Sequence, residues 1–387
     1  MIIHICPPDI LFVRYCLERF ENIKPGMNRC FIIVSGQHLN AKHNIDNKLV
    51  DYFGPLNTDI IKKINESDCS GIIIHTLNDD ILELALNLKE SIPIIWRSWG
   101  SDLHDVIYPD FQPFLPQTKK LLSNRNIIFE SAIRRLRPYR DFLLNKNAGP
   151  AARLKKKIKF LNRVSFIATV TNTEYNLILG QIPGLKAEFI HLNYRPFDLT
   201  KITETVMIYS HDAVMVGHSS FTYHNHADVF FQLSEFTDFT SRILVPLSYG
   251  NPIYRDKVIA LGNNLFNSQI QYLNDFLPFD EYLREISRCH SFILNSKVQS
   301  GGANIIYFLL KGLKVYLREE NPVYKDYIEE GIKLFSIQKE LSREHLIGYH
   351  LSESEIKNNI QIVKRLFSPE KEIENVKYIY KKLKIAV

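Results

Sequence analysis

The chain has 387 residues, 45% of them apolar and 23% charged, which is the composition of an ordinary folded protein and excludes extended disorder; its length favours two domains over one core. Cys6, Cys16, Cys30, Cys69 and Cys289 are odd in number and form no C-x-x-C pair, so neither a disulfide framework nor a zinc site is expected, and the compartment reads as reducing. The net charge of +6 comes without any recognisable nucleic-acid module, no apolar run approaches the ~20 residues that span a bilayer, and the opening MIIHICPPDILFVRY lacks the basic start and long apolar core of a secretory signal.

Along the first half, continuous apolar runs (MIIHIC, RCFIIVSG, DCSGIIIHT, IPIIWRSWG) alternate with helix-capable stretches such as ILFVRYCLERFENI and DDILELALNLKE. Runs of this kind bounded by turns indicate buried parallel strands in βαβ units, a doubly wound α/β arrangement. After WGSDL comes a basic stretch holding Arg134, Arg135, Arg137, Arg140, Lys146, Arg153, Lys155, Lys156, Lys157, Lys159 and Arg163, with apolar residues interleaved. It reads either as a solvated helical face or as an amphipathic surface, residues 134–163, for anionic lipid or a pyrophosphate head group. SFIATVTNTEYNLIL then gives a strand and a helix start, with Thr171, Asn172 or Thr173 as cap and Glu174 in the first turn.

AEFIHLNYRPFD leads toward a linker near residues 196 to 207, and the alternation restarts in AVMVGHSS, SRILVPLSYG, LREISRCHSFILN and LKVYLREENP. The expected fold class is α/β with two Rossmann-like domains, residues 1–197 and 198–387. Ligands of such sheets bind beyond the carboxyl ends of strands, and four loops there carry unusual residues. VGHSSFTYHNHAD holds Gly217, His218, Ser219, Ser220, Asn225 and His226; VPLSYGNP holds Tyr249; KVQSGGAN holds Gln299, Ser300, Gly301, Gly302 and Asn304; REENPVY holds Glu320 and Asn321.

A nucleoside diphosphate needs donors for its phosphates, a partner for the ribose hydroxyls and a surface for the base. The Gln299 to Asn304 loop can cradle phosphate at a helix start, Ser219 and Ser220 can donate to it, His218 or His226 can contact diphosphate or sugar, Glu320 and Asn321 can meet the nucleotide, and Tyr249 can stack on the base. His224 is expected in solvent. In the first half, Asp102 and Asp9 are either cleft-facing carboxylates or helix caps. His75, at a strand end, is a cleft candidate, and His4 a core histidine. Of Trp96 and Trp99, one is expected in the core.

Nearly the whole chain resembles the family typified by TDP-N-acetylfucosamine:lipid II N-acetylfucosaminyltransferase, through HICPPDI, IIIHTLNDDILELAL, IIWRSWGSDL, FIATVTNTEYNLIL, VGHSSFTYHNHAD, LPFDEYLREISRCHSFILNSKVQSGGAN and REENPVYKD, with WRSWGSDL and REENP the most specific. The resemblance implies a GT-B glycosyltransferase that needs no metal and no separate cofactor. The implied donor is a TDP-sugar, with UDP- and GDP-sugars as alternatives, held by the C-terminal domain, and the acceptor is a lipid-linked saccharide held by the N-terminal one. It also implies a cytoplasmic site, peripheral on the inner membrane, in bacterial surface polysaccharide assembly. Asp102 or Asp9 is then the base of an inverting reaction, while stereochemistry is open. A nucleotide-sugar epimerase or hydrolase, and a non-catalytic assembly protein, are the rival readings.

Overall fold

The computed structural model describes residues 1–6, 10–34, 49–54, 58–108, 113–123, 150–192 and 212–386. Asp9, the 196–207 linker and the 134–149 part of the basic stretch lie outside them. The chain forms two compact units: Met1–Phe111 with Leu136–Tyr194 and Phe367–Val387, and Gln112–Arg135 with Arg195–Leu366. Two stretches thus cross the division expected at 197/198.

The first unit holds seven parallel strands: β1 (Ile2–Cys6), β2 (Asn28–Ile33), β3 (Val50–Phe53), β4 (Gly71–Ile74), β5 (Ile94–Arg97), β6 (Phe166–Ala168) and β7 (Glu188–Phe189), in the order β3-β2-β1-β4-β5-β6-β7. Side chains alternate across a strand, and both faces are covered. Ile3, Ile5, Ile72, Ile74, Ile94 and Trp96 pack in one cluster, while Ile2, Ile73 and Ile95 pack in another with Phe20, Val376, Ile379 and Tyr380. Double coverage explains why these strands are apolar at nearly every position. The helix Pro369–Lys382 supplies part of the second cover, its Tyr380 hydroxyl lying 3.2 Å from Phe20 O and 3.1 Å from Asn28 Oδ1. Its approach needs Gly71, where a Cβ would sit 2.5 Å from Leu383 Cδ2.

The second unit holds six parallel strands: β8 (Ala213–Val216), β9 (Arg242–Pro246), β10 (Ile270–Leu273), β11 (Cys289–Leu294), β12 (Lys314–Leu317) and β13 (Phe335–Ser336), ordered β10-β9-β8-β11-β12-β13. Both sheets reverse direction beside their first strand, β1/β4 and β8/β11, and a crevice opens at such a switch point beyond the strand ends. Among the described residues no helix is long and apolar enough to cross a membrane.

The Pro116–Leu122 helix lies outside this alternation, yet it is fastened to the second unit at both ends. Asp228 accepts from Gln117 N and Thr118 N, each at 2.9 Å, so a carboxylate from another helix does the work of an N-cap. Asn225 Oδ1 accepts from Leu115 N at 2.8 Å, and Lys257 Nζ donates to Leu121 O at 2.9 Å. Asp228→Ala is expected to cost about 1–2 kcal/mol in urea unfolding, with faster amide exchange confined to residues 115–118; unchanged exchange there would show that the cap carries no stability.

Candidate functional site

In the second unit, the loops after β8 and β11 meet at the switch point. Gly217 leaves β8 with φ +66, and a Cβ there would lie 2.4 Å from His226 Nε2, so glycine is required on both backbone and packing grounds. Asn225 is left-handed (φ 50, ψ 46) and wholly buried. Its Nδ2 contacts Pro113 O at 3.0 Å, Tyr223 O at 2.9 Å and Asn295 O at 2.9 Å. This amide ties the two loops to each other and to residue 113, and its polar atoms are directed at protein.

Ser219 and Ser220 are buried, and the Ser220 hydroxyl donates to Tyr249 O at 2.8 Å. Ser220 N also donates to Tyr249 O at 2.7 Å and Asn251 N to Ser220 O at 3.1 Å, which zips the loop after β8 to the loop after β9. His224, expected in solvent, is instead buried, because Ser219 O lies 3.0 Å from its Nδ1 and Ser300 Oγ 3.1 Å from its Nε2. His218 bridges Tyr249 Oη at 2.8 Å and Ser300 Oγ at 2.7 Å. His226 contacts Tyr254 Oη at 3.2 Å through Nδ1, while its buried Nε2 has no hydrogen-bond partner. Burial lowers all three imidazoles, His218 to about 4, His226 to about 3 and His224 well below its ordinary value, the last two also opposed by neighbouring histidines.

Past β11 the chain turns through half-buried Gln299 and buried Ser300 to Gly301, which takes φ +66 as N-cap of the helix Gly302–Leu310. The glycine offers no side-chain cap, and the first bond of the ladder runs from Ile305 N to Gly301 O. The N–H groups of Gly302, Ala303 and Asn304 therefore precede the ladder at the positive end of the helix. A Cβ at Gly302 would meet nothing within 4 Å, so the first turn is open on that side. The Asn304 side chain is held by Tyr282 Oη at 2.9 Å. Asn321 is buried beneath this turn, donating to Ser296 O at 3.0 Å and Val298 O at 2.9 Å while capping its own helix through Val323 N at 2.9 Å.

Arg318, at the carboxyl end of β12, escaped the sequence reading although it opens the REENP loop. Its guanidinium reaches Asn295 Oδ1 at 3.3 Å and Glu320 Oε1 at 2.8 Å, and its buried Nε has no hydrogen-bond partner. Partial burial pushes the Glu320 carboxyl up, but hydrogen bonds from Arg318 and Gln338 and the Arg318 charge prevail and hold it below the usual range.

In the first unit, the loops after β4 and β5 are joined by Asp102. Its Oδ1 accepts from Ser98 Oγ at 2.8 Å and Trp99 N at 2.9 Å, and its Oδ2 from Leu77 N at 3.1 Å and Trp96 Nε1 at 3.3 Å. Four donors match the four acceptor directions of a carboxylate, so Asp102 braces two loops, and taking a proton would require one donor to let go. Burial nevertheless raises its pKa against these hydrogen bonds and the Lys157 and Arg97 charges. Trp96 is the core tryptophan; Trp99 donates through Nε1 to His75 O and stacks 3.8 Å beneath the Arg97 guanidinium. His75 Nε2 lies 3.1 Å from His4 Nδ1, and His4 Nε2 3.2 Å from Asn28 Oδ1, so His4 is a satisfied core histidine. Burial lowers His75 well below its ordinary value. Glu174, expected only as a first-turn acid, completes a capping box with Thr171 and is buried; that burial raises it to about 7, against hydrogen bonds from Thr171 and with help from the Asp102 charge.

Residues 185–368 match the model of the family described as 4-alpha-L-fucosyltransferase, glycosyl transferase group 56. Among solved structures, the chain is similar to sucrose-phosphate synthase from Thermosynechococcus elongatus (TM-score 0.65, 10% identity, 99% of this chain and 98% of that one). It is also similar to a glycosyltransferase from Rickettsia africae (TM-score 0.58, 14% identity, 99% and 98%) and to Anabaena HepE in complex with UDP and glucose (TM-score 0.54, 12% identity, 98% and 94%). At these identities the likeness is one of fold, and that fold is GT-B.

Two outcomes follow for the first unit. Asp102→Asn turns an NH2 toward two of the four donors and is expected to cost about 2–4 kcal/mol in chemical unfolding; a variant as stable as wild type would remove the bracing role. For Glu174 the folded pKa lies above the ordinary 4.5, so its contribution to stability is full below about 4.5 and is lost as pH rises through about 7. Glu174→Gln keeps the capping box and should gain on wild type by about 1 kcal/mol or more between pH 5 and 7.5 in paired unfolding curves; a constant difference across that range would refute the shift.

Proposed function

We propose that this chain, whose residues 185–368 belong to a glycosyltransferase family, moves a deoxy or acetamido sugar from a nucleoside diphosphate, a TDP-sugar before UDP- or GDP-sugars, to a polyprenyl-diphosphate-linked saccharide. The setting is bacterial surface polysaccharide assembly at the inner face of the inner membrane. The observation that carries this reading is the glycine-capped start of the Gly302–Leu310 helix at the β8/β11 switch point, inside the matched segment, with open space beside Gly302. Anabaena HepE, similar in fold, is described with UDP and glucose.

When the glycosidic bond to the diphosphate breaks, negative charge grows on the departing β-phosphate. The N–H groups of Gly302, Ala303 and Asn304 are fixed before the reaction, so they stabilise that growing charge without reorganising. Arg318 supplies the cation, its planar fork already oriented by Asn295 and Glu320. Glu320 keeps a charged carboxylate for the ribose hydroxyls. On the acceptor side, an inverting reaction needs a base, and Asp9, His75 and Asp102 are the proposed groups, Asp102 at the cost of releasing a donor; a retaining reaction needs none of them.

Calorimetry with TDP-, UDP- and GDP-sugars, followed by transfer assays on a polyprenyl-diphosphate saccharide, tests the reading, and failure to bind any of the three would end it. Arg318→Ala should weaken binding of the preferred nucleotide sugar about 10- to 100-fold, the worth of one or two charge-assisted hydrogen bonds, with circular dichroism unchanged. Glu320→Ala should weaken it less. Equal affinity of the Arg318 variant and wild type would remove that residue from the site.

A further inference from the structure

The hydrogen bonds around His218 have a direction that can be assigned one partner at a time. A carbonyl oxygen only accepts, so the 3.0 Å contact with Ser219 O puts the His224 proton on Nδ1. A neutral imidazole then has its lone pair on Nε2, 3.1 Å from Ser300 Oγ, and the Ser300 hydroxyl must donate to it. With its single hydrogen spent, Ser300 Oγ can only accept from His218 Nε2 at 2.7 Å. The His218 proton is thereby fixed on Nε2, and its Nδ1 accepts from the Tyr249 hydroxyl at 2.8 Å. Every proton in the chain points the same way, from the half-exposed Tyr249 through His218, Ser300 and His224 to a buried carbonyl, and burial keeps both imidazoles neutral.

This accounting leaves nothing on His218 or on the Ser300 hydroxyl to offer a phosphate. The His218 ring also backs Gly301: a Cβ at that glycine would lie 2.9 Å from His218 Cδ2. We propose that His218 is a positioning residue of the diphosphate site, not a phosphate ligand: the one-way chain Tyr249, His218, Ser300, His224, Ser219 holds the left-handed Gly301 so that the main-chain N–H groups after it face the anion. The proposal rests on the nucleotide-sugar reading above and deepens it, since recognition then falls to main-chain amides and Arg318.

The first measurement needs no ligand. In the 15N-histidine-labelled full chain at pH 7.5, His224 should show the Nδ1–H tautomer and His218 the Nε2–H tautomer, resonances being assigned with His218→Gln and His224→Gln. Tyr249→Phe should perturb chiefly the Nδ1 resonance of His218. The second is calorimetry with TDP-glucose and UDP-glucose in buffers of different ionisation enthalpy. A sugar-linked diphosphate does not itself titrate between pH 6 and 8, so binding should take up no proton, whereas an imidazole in direct contact with that anion would be driven toward its charged form and take up about half a proton or more. Tyr249→Phe should raise the dissociation constant about three- to tenfold, the worth of one hydrogen bond. Reversed tautomers, or proton uptake abolished by His218→Gln, with binding intact, would overturn the positioning role alone. No binding of either nucleotide sugar to wild type would overturn it together with the functional reading.

Discussion

A single buried amide fixes how the loops at the second unit's switch point meet. Asn225 sits in the left-handed region, rare for a residue with a Cβ, and spends its side chain on Pro113, Tyr223 and Asn295 carbonyls and the Leu115 N–H. The loop after β8, the loop after β11 and the segment before the Pro116–Leu122 helix would otherwise be three separate pieces of surface. With Asn225 between them, Ser300 stands within reach of two histidines and Gly301 can end its turn at a helix start. The strain is offset locally: an amide so surrounded has no competing partner in water.

The two units solve the problem of buried polarity in different ways. In the second, three imidazoles sit in a region too dry to charge them, and neutral hydrogen bonds orient the loop. In the first, true charges are taken inside: Arg97 and Asp102 are buried, and Lys157 Nζ caps the Asp102 carbonyl at 2.7 Å. A buried ion survives only when paired and hydrogen-bonded, and Asp102 meets that condition with four donors. Rigid neutral scaffolding fixes a loop without adding charge to it; a braced carboxylate suits the shaping of loops.

Much of the fold was legible because strands covered on both faces read as unbroken apolar runs, as in IIHIC, GIII and AVMV. The edge elements escaped for the same reason inverted. VDYF and IQYL leave part of their surface to solvent, and the two-residue β13 is too short to leave a pattern. A helix cap among Thr171, Asn172 and Thr173 was readable from four consecutive residues, since a cap is a local device, and the structure selects Thr171. The burial of His224 was not, because its partners Ser219 and Ser300 come from two strands' loops, and nothing in the order of residues tells which nitrogen holds a proton. Arg318 was hidden by its neighbours: Glu320 and Asn321 drew attention in the same loop, while the cation one residue past the strand was not singled out. The return of the Pro369–Lys382 helix to the first unit was equally unreadable, since an amphipathic stripe does not name the sheet it covers.

That return has a consequence for biosynthesis. The first sheet lacks part of one cover until Val376, Ile379 and Tyr380 arrive against Ile2, Phe20 and Ile73, and these residues are translated long after the strands they cover. Every strand of the later-translated sheet precedes them, so the sheet made first is the one completed second, and its apolar underside must wait until the other sheet has been made.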